Sequence, residues 1–169
     1  QLAITTENPR YSWTQLHRRE LKHVDITSSL ETILTPVNVG GDHWVLAHAD
    51  LTSNTIAVYD SFHRPTNHIA EGLQAYLKSH PQLADRQWTI DPTRQCPVQT
   101  NGFDCGLFTC AVALCIINRR QDFHFQGDQM RNFRLQLAHR LLSDTTSRSH
   151  TTALQQGGEG EGRGGSGDR

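Results

Sequence analysis

Gly106 to Asn118 reads GLFTCAVALCIIN, an almost unbroken apolar run of about 13 residues. A segment that is apolar on every side has no face to offer water, so the rest of the chain must cover it. It is too short to cross a bilayer, which takes about 20 residues. Its length and its alanines favour a buried helix over a strand, and Arg119-Arg120 suit the negative end of that helix's dipole. The polar turn Asn101-Gly102-Phe103-Asp104 runs straight into it, so the helix must start near Cys105.

Elements able to cover such a helix precede and follow it. Trp44 to Ala49 and Thr55 to Tyr59 are β-prone runs joined by the polar turn Asp50 to Asn54, a hairpin signal. Trp44 and Leu46 fall on one face of the first strand and Val45 and Ala47 on the other, so the hairpin should be covered on both sides and lie centrally in a sheet. Thr32 to Val39 reads as a further strand, which Pro36 pushes toward an edge. Asn67 to His80 is an amphipathic helix with Ile69, Leu73, Tyr76 and Leu77 on one face, ended by Pro81. Gln87 to Asp91 is a short strand. Trp13 to Leu21 has a weak helical pattern, and Gly127 to Ser143 predicts a last amphipathic helix with Met130, Phe133, Leu137 and Leu141 inward. The fold class is α+β.

The 169 residues fit one domain. Sixteen Lys and Arg against 17 Asp and Glu leave a net charge of −1, with no basic excess to grip nucleic acid through phosphate neutralisation. No apolar stretch is long enough for a membrane span, and Gln1 to Arg10 has no signal-peptide layout. Cys96, Cys105, Cys110 and Cys115 stand 9, 5 and 5 apart, which matches no zinc-site spacing, so no metal is expected. We read the thiols as free and the compartment as reducing.

The chemistry centres on Cys105. A thiol at a helix start feels the positive end of the dipole, which favours thiolate; thiols so activated titrate at about 3.5–7.5. Gly106 beside it leaves room for a substrate backbone. Cys110 and Cys115, mid-helix in apolar company, read as buried small hydrophobes. A thiolate nucleophile needs an imidazole and a group to orient it. His43 opens the first hairpin strand and Asp60 follows the second, and a hairpin pivoting between Leu51 and Thr52 makes them opposite or diagonal neighbours with Cβ atoms about 4.5–8 Å apart. For the oxyanion, the Cys105 backbone N–H is one donor, and Gln99 or Gln95 supplies the side-chain amide. Position alone does not choose between the two glutamines.

These residues resemble a known family. Pro97 to Gly106, PVQTNGFDCG, is similar to the nucleophile loop of the ubiquitin-like-protein-specific (SUMO/sentrin) cysteine proteases, whose pattern is Gln, Asn-Gly, then Asp-Cys-Gly. Thr35-Pro36-Val37-Asn38, His43-Trp44, Tyr59-Asp60-Ser61 and Asp122-Phe123 resemble the family's other blocks in order and approximate spacing. The resemblance covers Tyr11 to Asp144. It implies a papain-like, adenain/Ulp-type fold: a central mixed sheet flanked by helices, with the nucleophile at the start of a buried helix. It implies catalytic His43, Asp60, Gln99 and Cys105, and so prefers Gln99 over Gln95. It also implies a substrate slot for a Gly-Gly tail at Trp44, Asn101 and Gly106, and no cofactor. The family's Trp-Leu-Asn-Asp block, N-terminal to the Thr35 block, does not occur in this sequence.

The expectation is therefore a cysteine peptidase or isopeptidase that cleaves after the C-terminal glycine of SUMO or another ubiquitin-like modifier. The competing reading is an inactive or truncated, transposon-borne copy that only binds such a modifier. The expected organisation is an extension over 1–10, the protease domain over 11–145 lacking part of its N-terminal subdomain, and a disordered Gly-rich tail over 146–169. We expect a monomer, inside the cell in nucleus or cytoplasm, whose partner is the modifier and its conjugates, with no nucleic acid or membrane. Seven of the 13 glycines lie in QQGGEGEGRGGSGDR, Gln155 to Arg169, which has no apolar residue to bury. Deleting those residues is expected to leave Tm nearly unchanged, since segments without buried contacts seldom matter by more than about 0.5 kcal/mol. A drop of many degrees in a thermal melt would show that the tail packs.

Overall fold

The computed structural model describes residues 4–5, 30–120 and 122–156. They divide into two units, one through Met130 and one from Arg131. The first is built on a mixed five-stranded sheet ordered β1 (Ile4–Thr5), β2 (Thr32–Val39), β3 (His43–Asp50), β4 (Thr55–Tyr59) and β5 (Thr89–Ile90). β2, β3 and β4 are antiparallel neighbours, and β1 and β5 add in parallel at the edges. The hairpin strand β3 is thus the central strand, as its two apolar faces require. β1 pairs only with Val37 and Asn38, so Pro36, exposed, has no partner strand on its outer side among the described residues. That is where a residue without an N–H is tolerated.

Alternation along the strands sorts side chains into two cores. Val45, Ala47, Ala49, Ile56 and Val58 pack with Ile69, Leu73, Tyr76 and Leu77 of helix α1 (Asn67–Ser79). Leu46, Ala57 and Tyr59 point the other way, toward Val112 and Ile116 of helix α2 (Cys105–Ile117), with Phe123 and Phe125 at the border. Helices therefore cover both faces of the sheet, and α2 is the one laid on β3.

The apolar run is covered less completely than expected. Leu107, Phe108, Ala111 and Val112 are buried at i, i+3, i+4 spacing, whereas Cys110 and Ile117, seven apart and so on one face, are exposed. Cys115 is half-buried. The expectation that Cys110 and Cys115 are core residues is corrected: a helix lying on a sheet buries a stripe, and these two fall off it.

Turns fix the ends of the strands. Gly40 and Gly41 take the β2–β3 turn at φ +66° and +90°, which side chains rarely adopt. Asp50 Oδ1 accepts N–H bonds from Thr52 (2.9 Å) and Ser53 (3.1 Å) and pins the β3–β4 turn. Asp50 pairs with Thr55 and Leu46 with Tyr59, so the hairpin pivots between Thr52 and Ser53, one residue beyond the expected point. Asp60 consequently lies nearest the level of Val45, diagonal to His43 rather than opposite it.

Three further differences concern lengths. The strand expected over Gln87 to Asp91 is only Thr89–Ile90, because Trp88 turns into the core with its Nε1–H toward the Leu83 carbonyl (3.4 Å). The last helix, α3, spans Met130–Gln156 instead of stopping at Ser143, so 146–156, expected within a disordered tail, is helical. No Gly or Pro interrupts the chain between Met130 and Gln156. Along α3, Met130 is buried, Phe133 and Leu137 are half-buried, and Leu141, expected inward, is 62% exposed. The Trp13 to Leu21 helix and the tail beyond Gln156 lie outside the described residues.

Leu73, at 0% exposure, sits where α1 meets the sheet. Leu73→Ala is expected to cost about 2–5 kcal/mol, read by chemical denaturation with an unchanged m-value. A loss below 1 kcal/mol would mean that this core is loosely packed.

Candidate active site

His43 and Asp60 meet where β3 begins and β4 has ended. His43 Nε2 lies 2.7 Å from Asp60 Oδ1, and both side chains are buried. The carboxylate is held by two more donors, the Phe62 N–H on Oδ1 (2.8 Å) and the Arg64 N–H on Oδ2 (3.2 Å). An ionised carboxylate can only accept, so Nε2 carries the proton and Nδ1 of the neutral ring carries the lone pair. Among the described residues Nδ1 is buried with no hydrogen-bond partner. Burying an unsatisfied polar atom is costly, so such an atom calls for an explanation. A base awaiting a proton supplies one.

Cys105 is the first residue of α2 and is buried. Asn101 holds the turn before it: Oδ1 accepts the N–H groups of Phe103 (3.1 Å) and Asp104 (3.0 Å), and Nδ2 donates to Asp104 Oδ2 (2.7 Å). The Thr109 hydroxyl donates to the Cys105 carbonyl (3.0 Å), one turn on. Gly106 faces Trp44, which follows His43; a Cβ at Gly106 would lie 3.9 Å from Trp44 Cδ1. The seating of α2 on β3 thus puts Gly106, the neighbour of Cys105, against Trp44, the neighbour of His43.

Gln99 is buried and tied from three directions. Its N–H donates to the Ser61 carbonyl (2.9 Å), its Oε1 accepts the Ser61 hydroxyl (2.5 Å), and its Nε2 donates to the Asn101 carbonyl (2.5 Å). A backbone carbonyl can only accept, so the nitrogen must face Asn101 and the orientation of the amide is determined. The second Nε2 proton is left for another acceptor. Gln95 is exposed and lines a different cleft, of about 800 Å³, with His48, Asp50, Tyr59, Arg94 and Ile116. That cleft lies by the far end of α2, and none of His43, Asp60, Gln99 and Cys105 lines it. Among the described residues no group of three or more His, Cys, Asp or Glu is placed to hold a metal ion.

The sequence reading missed Phe62, whose ring stacks on His43 (centroids 4.8 Å, 29° between planes), and His63, whose Nε2 donates to the Cys96 carbonyl (2.6 Å) on the loop leading to Gln99. Irregular backbone after a strand has no period from which to read such contacts. Burial, with the charge of Asp60, pushes the Cys96 thiol up to about 12. Burial also pushes up Cys110 and Cys115, although Cys110 is exposed overall. The arrangement as a whole is a thiol at a helix start, a buried imidazole with a free lone pair, an orienting carboxylate and a fixed amide donor. That set is suited to acyl transfer through the sulfur.

A model of the Ulp1 protease family, C-terminal catalytic domain, matches residues 6–147. A sentrin-specific protease of Caenorhabditis elegans is 29% identical over 132 residues, covering 75% of this chain and 18% of that protein. Ubiquitin-like-specific protease 1 of Saccharomyces cerevisiae is 30% identical over 122 residues, covering 68% of this chain and 19% of its own length. The chain thus spans about a fifth of the curated relatives it matches. Among solved structures, the C-terminal Ulp1 protease domain in complex with Smt3, the yeast ortholog of SUMO, superposes with a TM-score of 0.70 at 27% identity. That match covers 81% of this chain and 63% of that one.

A methyl at Gly106 meets only ordinary contact, so packing does not require glycine there. Gly106→Ala is expected to leave Tm unchanged or slightly raised, since Ala is favoured over Gly in a helix by up to about 1 kcal/mol. A fall of several degrees would show that the fold itself requires the glycine.

Proposed function

The chain belongs to the Ulp1 protease family, and on that premise we propose that it is a cysteine peptidase or isopeptidase acting after the C-terminal Gly-Gly of SUMO or another ubiquitin-like protein. The buried, unpartnered Nδ1 of His43, with Nε2 committed to Asp60, is the observation that carries this reading. Nδ1 takes the Cys105 thiol proton, and Sγ attacks the carbonyl of the terminal glycine. The oxyanion is met by the second Nε2 proton of Gln99 and by the backbone N–H of Cys105, which as the first N–H of α2 has no acceptor within the helix. His43 returns the proton to the departing amine, and water then hydrolyses the thioester with His43 again as base. Asp60 orients the ring throughout. Trp44 and Gly106 frame the slot for the glycine tail, and Asn101 holds its rim; no cofactor takes part.

The partner in this reading is the modifier with its conjugates, handled by a monomer inside the cell, in nucleus or cytoplasm. The near-zero net charge speaks against nucleic acid, and no described helix is long and apolar enough to cross a membrane. A binding-only relic of a protease is disfavoured by the four site residues, all present and held in order by Ser61 and Asn101. A panel of ubiquitin-like proteins bearing C-terminal thiol-reactive groups tests the proposal directly. A covalent adduct on Cys105 with at least one of them is expected, and none with any would overturn the reading.

Gln99→Ala is expected to lower kcat by roughly 10²–10³ with the fold intact, the scale for one oxyanion donor. Gln95→Ala, on an exposed position by the other cleft, should change it less than twofold. Steady-state cleavage of a SUMO-type precursor gives the ranking, and the reverse order would reassign the donor.

A further inference from the structure

The His43 ring has one hydrogen bond among the described residues, from Nε2 to Asp60. A single bond fixes one ring atom and leaves the ring free to turn about the Nε2···Oδ1 line, which would swing Nδ1 away from the thiol. The second constraint is the Phe62 ring, nearly parallel to the imidazole with centroids 4.8 Å apart. Phe62 is itself fixed at both ends. Its N–H donates to the same carboxylate oxygen that holds His43 (2.8 Å), and the Arg64 guanidinium carbon lies 4.7 Å from the centre of its ring. Arg64 in turn donates its N–H to the other carboxylate oxygen (3.2 Å). Asp60 therefore organises the backbone that carries the ring stacked on its own imidazole partner.

We propose that Phe62 is a positioning residue that sets the plane of the His43 imidazole, with Arg64 holding the Phe62 ring from the solvent side of the loop. The inference rests on the peptidase reading for its main readout. Phe62 touches no reacting atom; it restricts the orientations from which Nδ1 meets the thiol. Because Phe62 is half-buried, its replacement leaves both cores untouched.

The test uses the full chain and SUMO carrying a C-terminal aminomethylcoumarin amide. Phe62→Leu keeps apolar bulk and removes the ring, and Phe62→Tyr keeps the ring. Phe62→Leu is expected to lower kcat roughly 3- to 12-fold, the scale of an aromatic stack, with KM within twofold, and Phe62→Tyr to recover kcat. Phe62→Met serves in place of Leu if the Leu variant melts early. A kcat equal to wild type in the ring-less variants, a loss confined to KM, or failure of Tyr to rescue each overturns the proposal. If the wild-type chain shows no turnover, the peptidase reading fails separately. The rate of iodoacetamide alkylation at Cys105, followed by peptide mapping, then decides: slower in Phe62→Leu than in wild type and Phe62→Tyr sustains the positioning role, and equal rates overturn it.

Discussion

Across the β3–β4 hairpin Tyr59 pairs with Leu46 and Asp50 with Thr55, and this one register does two jobs at once. It sends Val45, Ala47, Ala49, Ile56 and Val58 to the α1 side and Leu46, Ala57 and Tyr59 to the α2 side. A slip of one residue would exchange these sets, pressing small side chains where large ones fit and exposing the register to the cost of both cores. The same register leaves His43 and Asp60 past the last β3–β4 rung, with His43 still paired to Val39 of β2 and close enough to Asp60 to bond at 2.7 Å. The hydrophobic pattern that stabilises the sheet therefore also brings together His43 and Asp60, the pair to which we assign base and orienting roles.

The five residues from Asp60 to Arg64 then join parts that lie far apart in sequence. Asp60 orients the His43 ring, and Ser61 donates its hydroxyl to the Gln99 side-chain oxygen and accepts the Gln99 backbone N–H on its carbonyl. His63, at φ 54°, reaches the Cys96 carbonyl and ties down the loop on which Gln99 sits. Asn101 completes the link, accepting from Gln99 through its carbonyl and holding the turn before Cys105 through its side chain. His43, Gln99 and the turn before Cys105 are thus tied into one connected set of bonds, as the proposed roles of base, oxyanion donor and nucleophile require. Preorganisation of this kind is what makes donor groups effective when charge develops at the reacting carbonyl.

Periodicity made much of this fold legible. The alternation of Trp44 to Ala49 gave a central strand, the 69/73/76/77 spacing gave the buried face of α1, and the polar-to-apolar boundary at Cys105 gave the start of α2. What pattern could not give was extent. Cys110 reads as core because its neighbours are apolar, yet a helix on a sheet hides only a stripe, and the position falls outside it. Leu141 reads as inward because the stripe continues, yet it is exposed. In the site, the His43–Asp60 neighbourhood was within reach of strand arithmetic even with the pivot one residue out, since a diagonal pair still meets. Ser61, Phe62 and His63 were not, because their roles depend on loop backbone whose course is set by tertiary contacts alone.

Three of the four thiols stand in surroundings that disfavour a thiolate. Cys96 lies close enough to Asp60 for its negative charge to add to burial, and its thiol is pushed up to about 12, so at neutral pH it holds its proton. Partial burial pushes up Cys110 and Cys115, the latter in spite of the Arg120 charge, which acts in the opposite sense. An uncharged thiol is a poor nucleophile, so each of these three is held back by what surrounds it. Asp60 thereby acts differently on two neighbours: its charge disfavours a thiolate at Cys96, and its carboxylate accepts the Nε2–H of His43. Placing the carboxylate on the imidazole's Nε2 side lets it serve the base directly, while the ring stands between it and the lone pair on Nδ1.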